Sequence, residues 1–101
     1  MAISTTYDEA TRTLVLTVEQ DFTFLVLSDF QSAYQSAPLA DAYIVDFSQA
    51  SFIDSSGLGM LLMLREHAGD GSADITLQGP NEEILRVLRI ANFDKLFTIR
   101  P

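Results

Sequence analysis

From Thr13 onward hydrophobic and polar positions alternate, so Leu14, Leu16 and Val18 fall on one face of an extended segment and Thr13, Val15 and Thr17 on the other. A weaker alternation precedes it, and the polar run Asp8-Glu9-Ala10-Thr11 between the two predicts a turn. The chain therefore opens on a two-stranded hairpin. From Phe22 two periods compete: Phe22-Thr23-Phe24-Leu25-Val26-Leu27 suits a strand, whereas Leu27, Phe30, Ala33 and Tyr34 recur at helical spacing, with Ser28 and Gln31 placed as a capping box. A helix from Leu25 to Ser36, ended by Pro38, satisfies the longer pattern.

Asp41 to Phe47 carries the β-rich Tyr43-Ile44-Val45 between polar residues and suits a short buried strand. Ser55 to Ala68 is predicted to be a second helix, stopped by Gly69-Asp70-Gly71-Ser72. Ile75-Thr76-Leu77 gives another strand and Gly79-Pro80 breaks it. Pro80 suits the first turn of a third helix carrying Ile84, Leu85, Leu88 and Ala91, and Phe97-Thr98-Ile99 can close the sheet. The crossover from the Ile44 strand through a helix to the Ile75 strand is long enough for parallel, right-handed pairing. The expected fold is α/β: one domain over residues 1–101, with a mixed four- to five-stranded sheet, an N-terminal hairpin and three helices packed on it.

Composition narrows the function classes. At 101 residues the chain is one domain's worth, burying roughly 60–70% of the surface its unfolded form exposes. Six basic against 14 acidic residues give a formal charge of −8, which opposes binding to nucleic acid or anionic lipid, and the bases are too scattered in sequence to suggest a patch. The absence of cysteine excludes disulfides and thiolate metal sites. No basic stretch followed by an apolar one opens the chain, and the apolar run Leu58 to Leu64 is far short of the ~20 residues of a membrane span. A cytoplasmic protein without direct membrane insertion is the expectation.

The candidate chemistry lies in Phe52-Ile53-Asp54-Ser55-Ser56-Gly57-Leu58-Gly59, which puts a carboxylate and two hydroxyls where an apolar helix begins. Backbone N–H groups at a helix start lack intrahelical partners, and Asp54, Ser55 or Ser56 can satisfy one of them. A serine here can also carry a phosphate, favoured by the helix N-terminus, opposed by Asp54 and Asp46, and worth about −1.5 to −2 charges. On a helical wheel Leu58, Leu61, Leu62 and Leu64 occupy the arc suited to the sheet, while Met60, Met63 and His67 fall elsewhere with Ser56. Either a neighbouring element covers the two methionines, or they form an adaptable docking surface beside the serines.

Catalytic readings fare poorly. Ser55 and His67, on one helix, are separated by roughly 18 Å, and the single histidine is expected to be a solvated residue near the helix C-terminus. Asp21, Asp46 and Asp54 are weak evidence for a Mg²⁺ site. Gly57-x-Gly59 lacks the third glycine of a dinucleotide loop, and the predicted strand ends about ten residues earlier. No catalytic residue, cofactor site or metal site emerges, so the chain is not expected to be an enzyme.

Asp54-Ser55-Ser56-Gly57-Leu58-Gly59, preceded by Phe52-Ile53 and the strand Ile44-Val45-Asp46-Phe47, resembles the signature of the STAS family, specifically its bacterial anti-sigma factor antagonists. The closing pattern Ile84-Leu85-Arg86-Val87-Leu88, Asn92-Phe93 and Leu96-Phe97 extends the resemblance along nearly the whole chain. It implies that the hydroxyl directly after the aspartate, Ser55, is the phosphoacceptor, with Ser56 a structural or contact residue. It also implies partners acting in trans, an anti-sigma factor serine kinase and a PP2C-type phosphatase, to which ATP and metal would belong. The family often carries an aspartate after the second strand. Asp21 fills that place if the strand anchors the alignment, and Thr23 does if Phe22 and Phe24 anchor it. The implied partner surface comprises Asp54, Ser55, Ser56, Gly57, Met60, Met63 and Asp21. Some single-domain relatives are instead subunits of membrane-transport complexes, docking without a phosphate cycle.

Overall fold

The alternating segment folds as foreseen: Ile3–Asp8 (β1) and Thr13–Phe22 (β2) pair antiparallel, with Ile3 opposite Val18 and Asp8 opposite Thr13. After a 3-10 turn at Phe24–Val26 come α1 (Leu27–Gln35), β3 (Ala42–Ile53), α2 (Ser55–His67), β4 (Asp74–Gln78), α3 (Glu82–Ile90), a second 3-10 turn (Phe93–Lys95) and β5 (Thr98–Arg100). This computed structural model describes residues 2–101. The five strands lie in the sheet in chain order, and every pair after the hairpin is parallel. Each parallel connection therefore passes through a helix, and the carboxyl ends of β2, β3, β4 and β5 share one end of the molecule. Ser55 lies at that end.

The buried stripe of β2, Leu14, Leu16 and Val18, meets Tyr43, Val45 and Phe47 of β3 and Leu77 of β4. Phe30 and Tyr34 of α1, Leu61 and Leu64 of α2, and Ile84 and Leu88 of α3 complete the core. Edge-to-face rings run from Phe47 through Phe22 and Phe30 to Tyr34, with centroids 5.5, 4.9 and 5.5 Å apart. Such ring pairs add to the gain from burying their area. Helix α1 packs against α2, whereas α3 packs mainly on β3 and the second 3-10 turn.

Strand β3 runs six residues beyond the predicted Phe47, to Ile53. Its buried positions follow a period of two as far as Phe47 and then recur at Ala50 and Ile53, three apart. The cause lies in the pairing with β2, where register shifts occur between Thr17 and Glu19 and between Gln20 and Asp21. Each shift inserts an extra residue into the ladder and re-aims the strand, erasing the alternation by which a strand is recognised.

Two helix starts and one helix end also differ in detail from the sequence expectation. Thr23, not Ser28, caps the segment after β2: its Oγ1 accepts from Leu25 N at 3.4 Å and the first turn is 3-10. Pro80 lies outside α3, because Asn81 is the cap and its Oδ1 accepts from Ile84 N at 2.8 Å. The Asn81 amide also donates to the Ser51 carbonyl at 3.3 Å, tying α3 to the extension of β3. Helix α2 ends one residue early, at His67, with Gly69 at φ +98 receiving the reversed chain and Asp70 N donating to Arg65 O.

Candidate functional site

At the start of α2 the cap is the carboxylate, not either serine. Asp54 has extended backbone and its Oδ1 accepts from Gly57 N at 2.9 Å, while its carbonyl accepts from Leu58 N. The carboxylate thus performs the capping that a serine would otherwise supply. Ser55 is exposed, and no group among the described residues holds its hydroxyl. Ser56 is half-buried.

The place of this helix start is fixed from below by Gly57, which is buried against the last residue of β2. A Cβ there would press on the Phe22 carbonyl oxygen and come within 2.7 Å of Ile53 Cγ1 and 2.9 Å of Phe22 Cδ2. The first turn of α2 therefore sits on the carboxyl ends of β2 and β3. Asp21 pairs in register with Phe52, so it shares this end with Ser55 and is exposed. Thr23 is engaged as a cap instead.

The remaining site residues divide. Gly57, Met60, Leu61 and Leu64 face inward on α2, and Met60 is 3% exposed. The expectation that Met60 helps form a docking face is therefore incorrect. The helix is rotated from the wheel reading, because the Gly57 contact turns that edge of the helix to the sheet, drawing Met60 inward and leaving Leu62 43% and Met63 42% exposed. Ser55, Gly59, Leu62, Met63 and Glu66 then follow one another along the outer face at helical spacing. At Gly59 a Cβ would meet nothing within 4 Å.

His67 also departs from its expected solvated place. Its ring is half-buried with its centroid 4.8 Å from that of Tyr34, and Nε2 is buried with no hydrogen-bond partner among the described residues. Burial pushes the Tyr34 phenol up from its ordinary pKa, with the Gln31 hydrogen bond opposing and the Glu66 charge adding. Gln31, Tyr34, Gln35, Met63, Glu66 and His67 line an open groove of about 340 Å³ between α1 and α2.

The sequence reading missed the apolar surroundings of Ser55. Phe24 is 67%, Leu25 90% and Phe52 42% exposed, all at the carboxyl end of the sheet. A signal existed in Phe52, which directly precedes the signature, whereas Phe24 and Leu25 fell in the segment where strand and helix periods compete. Among the described residues no group of three or more His, Asp and Glu gathers to hold a metal. No helix there is long and apolar enough to cross a membrane.

With this geometry in hand, comparison with known proteins is informative. Residues 5–100 match the family model described as Mlab, STAS domain. A STAS-domain containing protein of Pseudomonas aeruginosa is 38% identical over 100 residues, spanning 98% of this chain and 99% of that one. A Thermotoga maritima protein described as an anti-sigma factor antagonist shares the fold with a TM-score of 0.84 at 19% identity, over 98% of this chain and 86% of that one. The Bacillus cell fate determinant SpoIIAA in its phosphorylated form has a TM-score of 0.67 at 18% identity, over 97% of this chain and 90% of that one. The chain belongs to the STAS-domain family.

Proposed function

We propose that the chain, a single STAS domain over residues 1–101, is an anti-sigma factor antagonist that works as a phosphorylation-switched binding module in the cytoplasm. With Ser55 free it docks on an anti-sigma factor serine kinase or a similar regulator; phosphate on Ser55 blocks docking, and a PP2C-type phosphatase restores it. The observation that carries this reading is the exposed, unheld Ser55 hydroxyl beside a carboxylate already committed to capping. A dianion there needs hydration, and the same end of the sheet and outer face of α2 expose Phe24, Leu25, Phe52, Leu62 and Met63, so a partner burying them together with Ser55 would pay its desolvation. No Lys or Arg lies between Arg12 and Arg65 in sequence, so the elements that adjoin Ser55 in the chain carry no base. The protein is read as a binding module rather than an enzyme, since Ser55 and His67 occupy opposite ends of α2, roughly 18 Å apart.

The test is incubation with ATP and lysate of the source organism, followed by peptide mass spectrometry. Phosphate on Ser55, lost in Ser55→Ala, is the expected result. Phosphate on Ser56 with Ser55 unmodified overturns the site assignment.

A second reading, a subunit of a membrane-transport complex that docks without a phosphate cycle, is favoured by the same exposed apolar residues, which need no modification to bind. Stable co-purification with a transporter ATPase, with Ser55 unmodified in cells, would favour it over the switch.

A further inference from the structure

Strand β1 is one edge of the sheet and β5 the other. An edge strand presents unpaired N–H and C=O groups, which folds ordinarily blunt by shortness, charge, proline or a bulge. Strand β5 has three residues, ends on Arg100 and is followed by Pro101. Strand β1 carries none of these devices: its six residues pair with β2 in unbroken register, and its one charge, Asp8, stands at the last position.

The phase of its hydrogen bonds is set by Glu19 N, which donates to the Ala2 carbonyl at 2.8 Å. Hydrogen-bonded pairs alternate along an antiparallel ladder, so Ala2, Ser4, Thr6 and Asp8 turn their backbone groups toward β2. Ile3, Thr5 and Tyr7 turn theirs outward, where no other backbone group among the described residues meets them. Their side chains share the face of Leu14, Leu16 and Val18, the residues opposite them on β2. On that face Ile3 and Thr5 border an open groove of about 470 Å³, whose far wall consists of the short side chains Asp29, Ser32, Ala33 and Ser36 of α1.

We propose that β1 pairs antiparallel with β1 of a second copy, about a two-fold axis through Thr5. In that register Thr5 faces Thr5 of the second copy, Ile3 faces its Tyr7 and Ser4 its Thr6. Every outward N–H and C=O of Ile3, Thr5 and Tyr7 then meets a partner, and the helix-covered faces of both sheets lie on one side. The side-chain pairs, aromatic with β-branched and threonine with threonine or serine, are kinds that stabilise sheets. A foreign strand would have to match both hydrogen-bond phase and face, whereas this chain matches itself. Asp8 comes opposite Ala2, roughly 20 Å from its own copy at ~3.4 Å per residue, beyond the ~8 Å screening length at physiological salt. Asp29 stands on the groove face and Asp8 on the other, so the sheet separates those acids. The contact is isologous and consumes the edge, so association stops at the dimer. It sets the two β2 strands antiparallel, which points the two Ser55 ends in opposite directions and leaves both open. No phosphate or regulator enters the pairing, so it stands or falls independently of the switch.

Sedimentation velocity and amide hydrogen exchange on the full chain, from about 20 µM to about 1 mM in about 0.15 M salt, test it. The mass should rise from 11.2 kDa to twice that value and no further. Over the same range exchange should slow at least tenfold at the Ile3, Thr5 and Tyr7 amides, while Ser4 and Thr6, already bonded to β2, change little. Thr5 is exposed, so Thr5→Lys and Thr5→Glu each place like charges about 5.5 Å apart across the axis and should weaken the dimer tenfold or more. An equimolar mixture of the two should restore it, because opposite charges then face each other. Circular dichroism checks folding, and Thr5→Pro, which removes only an outward N–H, replaces either variant that unfolds. A wild type monomeric throughout, growth beyond the dimer, or exchange at the three amides that ignores concentration would each overturn the proposal. So would variants that dimerise like wild type, or a mixture that stays monomeric while the wild type pairs.

Discussion

Gly57 of α2 lies against the carbonyl of Phe22, the last residue of β2, so closely that this position has no room for a Cβ. Gly59, two residues on, faces open space. Gly57→Ala should therefore destabilise by about 3 kcal/mol, through overpacking against rigid backbone. Gly59→Ala should stabilise by about 0.5–1 kcal/mol by restricting the unfolded chain in a helix interior. Urea midpoints of the two variants, read beside wild type, check the opposite signs.

Asp54 holds the first turn of α2 through Gly57 N. Asp54→Ala should cost about 1 kcal/mol, whereas Asp54→Asn, which keeps an acceptor oxygen, should recover most of it. Equal losses in urea denaturation would show that the cap is not what the aspartate contributes.

Met60 and Met63 are one turn apart, yet one is core and the other surface. Met60→Ala should cost about 2–4 kcal/mol in unfolding free energy. Met63→Ala should stay within about 0.5 kcal/mol of wild type and reveal itself only in partner binding. Thermal denaturation of the pair separates these roles.

If Ser55 is the switch, Ser55→Ala should bind the regulator whether or not kinase and ATP are present. Protein phosphorylated at Ser55 should bind at least tenfold more weakly, about 1.4 kcal/mol. Calorimetric titration against the purified regulator measures both. Equal affinity of the phosphorylated and free forms would defeat the switch.

The fold favours neutral Tyr34, whose pKa is raised above the ordinary 10.0 chiefly by burial. A raised folded pKa means that this contribution to stability is complete below the unfolded value and is lost as pH climbs past it through the folded one. Stability should therefore fall from pH 10 upward, and Tyr34→Phe should flatten that decline. Urea midpoints at about pH 9, 10 and 11 provide the measurement.

Much of this was legible along the chain. Alternation from Thr13 to Val18 marked β2, and the 69–72 stop marked the end of α2, because local backbone preferences and one-sided burial leave a periodic trace. Asp54-Ser55-Ser56-Gly57-Leu58-Gly59 was enough to point to the STAS family. Composition bounded the charge and the absence of thiol chemistry.

Other features arose only when distant segments met. The bulges between β2 and β3 changed the period of burial from two to three, so the strand beyond Phe47 had no one-dimensional signature. The rotation of α2 depended on Gly57 meeting Phe22, 35 positions earlier, and that contact sent Met60 inward and left Leu62 outside. A helix apolar on more than one side does not specify its own buried face. The gathering of Phe24, Leu25, Phe52 and Asp21 at the Ser55 end, with Ile90 at the other, followed from parallel strand pairing. The sequence by itself determined which chemical groups and local elements were available; the tertiary structure decided which were buried, which shared a surface and which faced opposite ways.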